Sequence, residues 1–130
     1  MLTEILHIGF VVKSIDATLE QLKKLGASEI GRKEMPTIGQ TSALIQLGNV
    51  RYELMEPLGD TGVVPKYLEK HGEGFHHISF KCDSADKEAA RLIAEGVTLL
   101  NKVPGDGKTK FFTSPKTTGG VVYEVNENYD

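Results

Sequence analysis

Two histidines and two glutamates recur at matching intervals along the chain. His7 opens the run His7-Ile8-Gly9-Phe10, and His77 opens His77-Ile78-Ser79-Phe80, 77 − 7 = 70 positions later. Tyr52-Glu53-Leu54 has its counterpart in Tyr123-Glu124-Val125, 124 − 53 = 71 positions later. Neutral imidazole and ionised carboxylate are ordinary ligands for divalent transition metals. Two of each around one ion leave coordination positions open, as a catalytic metal requires. A single His is commonly a satisfied, partly buried side chain, and a single strand Glu commonly faces water. Identical chemistry at repeated positions changes that weighing. Spacing alone leaves open a shared metal site and the plainer reading of structural histidines with exposed glutamates.

The elements that must position these residues repeat as well. Residues 5–12 are β-branched, aromatic and short, a strand that puts His7, Gly9 and Val11 on one face and Ile8, Phe10 and Val12 on the other. Ser14 reads as an N-cap and Asp16 as first-turn acid of a helix with apolar Ile15, Leu19, Leu22 and Leu25, ended by Gly26. Ser84, Asp86, Ala89, Leu92, Ile93 and Gly96 repeat that grammar. Strands are expected at 27–32, 41–47 and 50–56, the last two a hairpin through Gly48-Asn49, with 35–40 a loop. In the second half they are expected at 97–102, 110–113 and 121–126, with 104–107 and 114–120 as loops. Glu53 lies between Tyr52 and Leu54, and Glu124 between Tyr123 and Val125. A strand carboxylate among large apolar neighbours is unusual unless paired or bound to metal. Each half reads β-α-β-β-β. The expected class is α+β: one domain over residues 1–130, with module one at 1–58, a connector at 59–74 that forms a short helix over 63–70, and module two at 75–130.

Composition narrows the function classes. The net charge of 15 − 18 = −3 gives no footprint for nucleic acid. No apolar run approaches the ~20 residues that span a bilayer, and no secretory signal is apparent, so a cytoplasmic protein away from membranes is expected. Cys82 is the only cysteine, which excludes an internal disulfide and reads as a buried, inert thiol.

Longer segments carry a family resemblance. They are His7-Ile8-Gly9 with Val12-Lys13, the run from Glu53 to Leu58, and Tyr67 to Ile78 with its Gly-Glu-Gly-Phe-His-His-Ile. Ser114 to Val121, with Pro-Lys-Thr-Thr-Gly-Gly-Val, leads into Glu124. In these the chain resembles the vicinal oxygen chelate (glyoxalase/bleomycin resistance) superfamily over nearly its whole length, with the nearest likeness to the methylmalonyl-CoA epimerases. That resemblance implies two β-α-β-β-β modules forming a cupped mixed sheet around a divalent metal (Zn, Co, Ni or Mn). Its ligands would be His7, Glu53, His77 and Glu124, with His76 structural. It implies proton abstraction next to a carbonyl by way of an enolate, with Glu124 as base. Some epimerases place a second carboxylate on the strand that here runs from Thr41 to Leu47. Ser42 stands there instead, with Gln46 the other polar residue after Thr41, which leaves Glu53 as the second acid/base. The expected substrate is a thioester of CoA or a glutathione adduct. Lys116 leads a patch of Lys102, Lys108 and Lys110 that would meet its anionic groups, and Ser42 and Gln46 would line the pocket. A glyoxalase I (lactoylglutathione lyase) shares the His-Glu-His-Glu set and is the alternative. A metal-free binding or resistance module is the third reading. The resemblance also implies a homodimer.

Overall fold

The structure, a computed structural model, describes all 130 residues. Eight strands and three helices alternate along the chain: β1 (Leu2–Val11), α1 (Ile15–Lys23), β2 (Ser28–Met35), β3 (Gln40–Leu47), β4 (Val50–Pro57), α2 (Val63–His71), β5 (Gly74–Cys82), α3 (Ala85–Ala94), β6 (Leu99–Leu100), β7 (Lys110–Thr113) and β8 (Val122–Asn126). The strands fall in one mixed sheet in the order β2-β3-β4-β1-β5-β8-β7-β6, open at both ends. The fold is α+β, as the repeat predicts. Two compact units divide the chain, His7–His76 and Met1–Leu6 with His77–Asp130.

In the first unit, β2, β3 and β4 form an antiparallel meander, and β4 returns parallel to β1. Alternation sends Val12, Ala43, Ile45 and Leu54 to the side where α1 buries Ile15 and Leu19. Fully burying a Leu or Ile side chain stabilises by roughly 1.5–3 kcal/mol, so this layer holds α1 in place. On the opposite face α2 covers Val11 and Met55 with Val64, flanked by Tyr67 and Leu68. The chain reaches α2 through a tight crossing of two glycines. Gly39 (φ 74°) follows a 3₁₀ turn at Pro36–Ile38, and Gly62 (φ 110°) caps α2. A Cβ on Gly39 would sit 1.9 Å from the Thr61 carbonyl oxygen, and one on Gly62 would sit 2.3 Å from that of Ile38.

The second unit repeats the plan. β8 runs parallel to β5 and antiparallel to β7, and α3 packs Ala85 and Ala89 on Cys82, Phe111 and Val125. Cys82 is fully buried, and burial pushes its thiol up from the ordinary value. Ser14 and Ser84 cap their helices by accepting from the Ala17 and Lys87 amides. A remote carboxylate completes each start: Glu56 accepts from the Ile15 amide at 2.8 Å, and Glu127 from the Ala85 amide at 2.8 Å. These pairs stand 71 and 70 positions apart, so the duplication extends to the scaffold.

Several expectations need correction. The strand read over 97–102 shrinks to Leu99–Leu100, because Asn101 takes a left-handed φ of 57° and Lys102 turns inward. β2 extends to Met35, and the loop at 35–40 is a 3₁₀ turn that ends as Gln40 enters β3. Leu25 lies past the end of α1 and Ile93 near the end of α3, both exposed rather than on the buried stripe.

Candidate metal centre

The two strands that flank each half-site put His and Glu on one face with little between them. In the first unit Gly9 registers with Glu53 across the parallel β1–β4 pair, two residues after His7. With no side chain at Gly9, the Glu53 carboxylate has room to turn back to the imidazole. The His7 Nε2 lies 3.4 Å from Glu53 Oε1, with side chains 5% and 18% exposed. In the second unit Ser79 registers with Glu124, two residues after His77. The His77 Nε2 lies 3.5 Å from Glu124 Oε2, with side chains 3% and 5% exposed. Across the antiparallel partner, Leu44 faces Glu53 and Phe112 faces Glu124. Phe112 presents its edge to the His77 ring at 5.7 Å between centroids.

These separations suit co-ligands better than hydrogen bonds. A charge-assisted N–H···O bond spans about 2.7–2.9 Å. Two N/O donors about 2.1 Å from one ion, at angles near 90–110°, stand roughly 3.0–3.4 Å apart. Within each unit the His–Glu pair presents two donor atoms at a spacing that suits one metal ion. Burying carboxylates is costly without a cation or hydrogen-bond donors, and these sit in strand interiors. A further sign is the Ser79 hydroxyl, fully buried on the same face and the one buried side-chain polar atom with no hydrogen-bond partner. The donor set therefore fits a divalent ion of the Zn, Co, Ni or Mn type.

Other predicted residues fall on or near this face. Ser42 on β3 is buried and accepts a hydrogen bond from the Gln40 amide at 2.9 Å. Gln46 shares the face but donates to the Gly48 carbonyl at 2.8 Å, tying down the β3–β4 turn. Lys116 is exposed in the 3₁₀ turn Pro115–Thr117, where Ser114 caps the local backbone. The lysine patch does not survive intact. Lys102 is buried and bound to Asp86, Asp106 and the Lys108 carbonyl, and Lys108 donates to the Asn101 carbonyl. Burial pulls the Lys102 ammonium down, but its bonds to Asp106 and Asp86 outweigh this and hold it above the ordinary lysine value. The same ammonium holds Asp86 and Asp106 below the usual carboxylate range.

Lys110 does stay near the site, 3.7 Å from Glu124 Oε1. An apolar groove of about 520 Å³, lined by Phe10, Leu22, Tyr52 and Leu54, lies on the α1 side of the first unit, away from His7 and Glu53. His76 packs edge-on against Tyr67, and the Tyr67 hydroxyl donates to the Phe75 carbonyl at 2.6 Å.

The chain is similar to known proteins over nearly its whole length. An uncharacterized protein of Bacillus subtilis, YqjC, is 35% identical over 93% of the chain and 89% of its own length. The ethylmalonyl-CoA/methylmalonyl-CoA epimerase of Cereibacter sphaeroides is 28% identical over 98% of the chain and 99% of its own. The structure of Streptomyces coelicolor methylmalonyl-CoA epimerase in complex with 2-nitronate-propionyl-CoA superimposes with a TM-score of 0.84 at 30% identity, covering 96% of both chains. The family model for the glyoxalase/bleomycin resistance protein/dioxygenase superfamily matches residues 6–113, so the chain belongs to that superfamily.

Proposed function

We infer that this chain is a divalent-metal-dependent epimerase of methylmalonyl-CoA-type thioesters, with His7, Glu53, His77 and Glu124 as the metal ligands. The observation that carries the reading is one buried His–Glu pair occurring twice, at 3.4 and 3.5 Å, at equivalent register positions of two modules. The epimerase relatives supply the substrate class.

A divalent ion held by these residues supplies a Lewis acid that makes the hydrogen next to a thioester carbonyl acidic enough for a carboxylate to remove it. Glu124 takes that proton from one side of the α-carbon. Glu53, its counterpart in the other module, enters the cycle protonated and delivers that proton to the opposite side, which inverts the centre; Glu124 then gives the proton it took to solvent, and Glu53 regains one from solvent. Each carboxylate has two oxygens and turns one toward its own histidine, and the other is assigned to proton transfer. Ser42 and Gln46 contribute polar groups to the sheet face that meets the acyl group, and Lys116 meets the CoA phosphates. The same reading expects a cytoplasmic homodimer.

The test is solvent deuterium incorporation into methylmalonyl-CoA by the metal-loaded protein, with the glutathione hemithioacetal of methylglyoxal run in parallel. Incorporation into the thioester alone supports the epimerase. Turnover of the hemithioacetal alone replaces it with a glyoxalase I, and no reaction with either overturns the enzymatic reading. Glu53→Gln should retain metal yet stop net inversion, and undiminished epimerisation by it would remove Glu53 from the mechanism.

A further inference from the structure

The two modules differ one register step beyond their glutamates. On the site face of the first unit Met55 pairs with Ser42, and at the equivalent place in the second unit Asn126 pairs with Lys110. A buried hydroxyl in one module is thus replaced by a cation in the other. Lys110 Nζ lies 3.7 Å from Glu124 Oε1, while Glu124 Oε2 turns to His77. The Lys110 side chain is 54% exposed and that of Glu124 is 5% exposed, so the ammonium stands between solvent and a buried carboxylate. At that distance it falls short of a direct charge-assisted bond of about 2.7–2.9 Å. At this separation, with the ammonium half exposed, the pair contributes little stability. What it does provide is a half-exposed ammonium next to the residue that would remove the α-proton.

The geometry points to Lys110 as the residue that binds the free carboxylate of an acyl thioester, making it a specificity determinant for 2-carboxyacyl groups. This rests on the acyl-CoA reading above. A carboxylate held by Lys110 is attached to the α-carbon, so the contact also brings that carbon close to Glu124. Ser42, uncharged and already bonded by Gln40, gives the first module no equivalent anchor. The bound acyl group therefore has one preferred direction across an otherwise duplicated face.

The experiment is calorimetric titration of metal-loaded wild type, Lys110→Gln and Lys110→Arg with malonyl-CoA and with propionyl-CoA, which lacks the carboxylate. Wild type should prefer malonyl-CoA. Lys110→Gln should weaken malonyl-CoA by about tenfold or more, the loss of one charge-assisted hydrogen bond, and change propionyl-CoA by less than about twofold. Lys110→Arg should restore most of the preference. Equal weakening of both thioesters, or no weakening of malonyl-CoA, overturns the assignment while leaving the acyl-CoA reading standing. Failure of wild type to bind either thioester overturns that reading, and the assignment with it.

Discussion

Adding one methyl group at Gly39 should cost far more than adding one at Gly48, although both glycines have positive φ. Gly39 has φ 74° and Gly48 φ 59°. An L-residue in the left-handed region costs roughly 1–2 kcal/mol, offset by about 0.4–1 kcal/mol because alanine restricts the unfolded chain. That part is common to both sites. The surroundings differ: a Cβ at Gly48 meets nothing within 4 Å, whereas at Gly39 it falls 1.9 Å from the Thr61 carbonyl oxygen. The blocking atom is backbone, and the Gly39 carbonyl is itself held by the Leu58 amide at 2.9 Å, so neither strand of the crossing can yield by a rotamer change. Overpacking of this kind costs about 1–3 kcal/mol. Gly39→Ala should therefore lose roughly 1–4 kcal/mol, and Gly48→Ala about 0–1.5 kcal/mol. Urea unfolding at unchanged m-value measures both. Equal losses in the two variants would refute the reasoning, since strain alone would then account for Gly39.

Removing either remote helix cap, by Glu56→Ala or Glu127→Ala, should cost about 0.5–2 kcal/mol in the same assay, typical of an N-terminal cap. A loss under a few tenths would mean that water replaces the carboxylate. Ser79→Ala should raise the stability of metal-free protein by up to about 1–3 kcal/mol, by removing a buried hydroxyl without a partner; a clear drop would show that the hydroxyl is satisfied. The Lys102 cluster makes a prediction about pH. Asp86 and Asp106 are held below their ordinary values, so their contribution is present above about pH 4 and is lost as pH falls below it. Lys102 is held above its ordinary value, so its contribution is present below about pH 10 and is lost as pH rises further. The difference in thermal midpoint between wild type and Lys102→Met should be flat from about pH 5 to 9 and narrow on both sides. Widening on acidification would contradict the assignment.

What was legible in the sequence was whatever obeyed a short period. Two-residue alternation put His7 and Glu53 on the face away from Tyr52 and Leu54, and Leu54 is indeed buried against α1. Serine and aspartate at fixed offsets marked both helix starts. Contacts set by long-range folding were not legible. β2 is exposed along nearly its whole length, so its strand carries no apolar alternation to mark where it ends. Lys102 looked like one solvated lysine among several, since nothing local says that two aspartates, 16 residues before it and 4 after, will close around it. The remote caps at Glu56 and Glu127 were missed for the same reason, although their 71-residue spacing matched that of Glu53 and Glu124.

That last correspondence has a consequence for how the protein can change. Each module closes on the pattern Glu-x-x-Glu: Glu53 with Glu56 inside β4, and Glu124 in β8 with Glu127 one residue past its end. Three residues apart along β4, Glu53 and Glu56 emerge on opposite faces. The first is turned to a histidine, and the second fastens the start of the helix behind the sheet. The proposed chemistry and the architecture are thus written in separate letters of one short word. Mutation can erase or rewrite the first letter while the second continues to hold the helix, so a lineage can lose, regain or exchange its chemistry without passing through an unfolded ancestor.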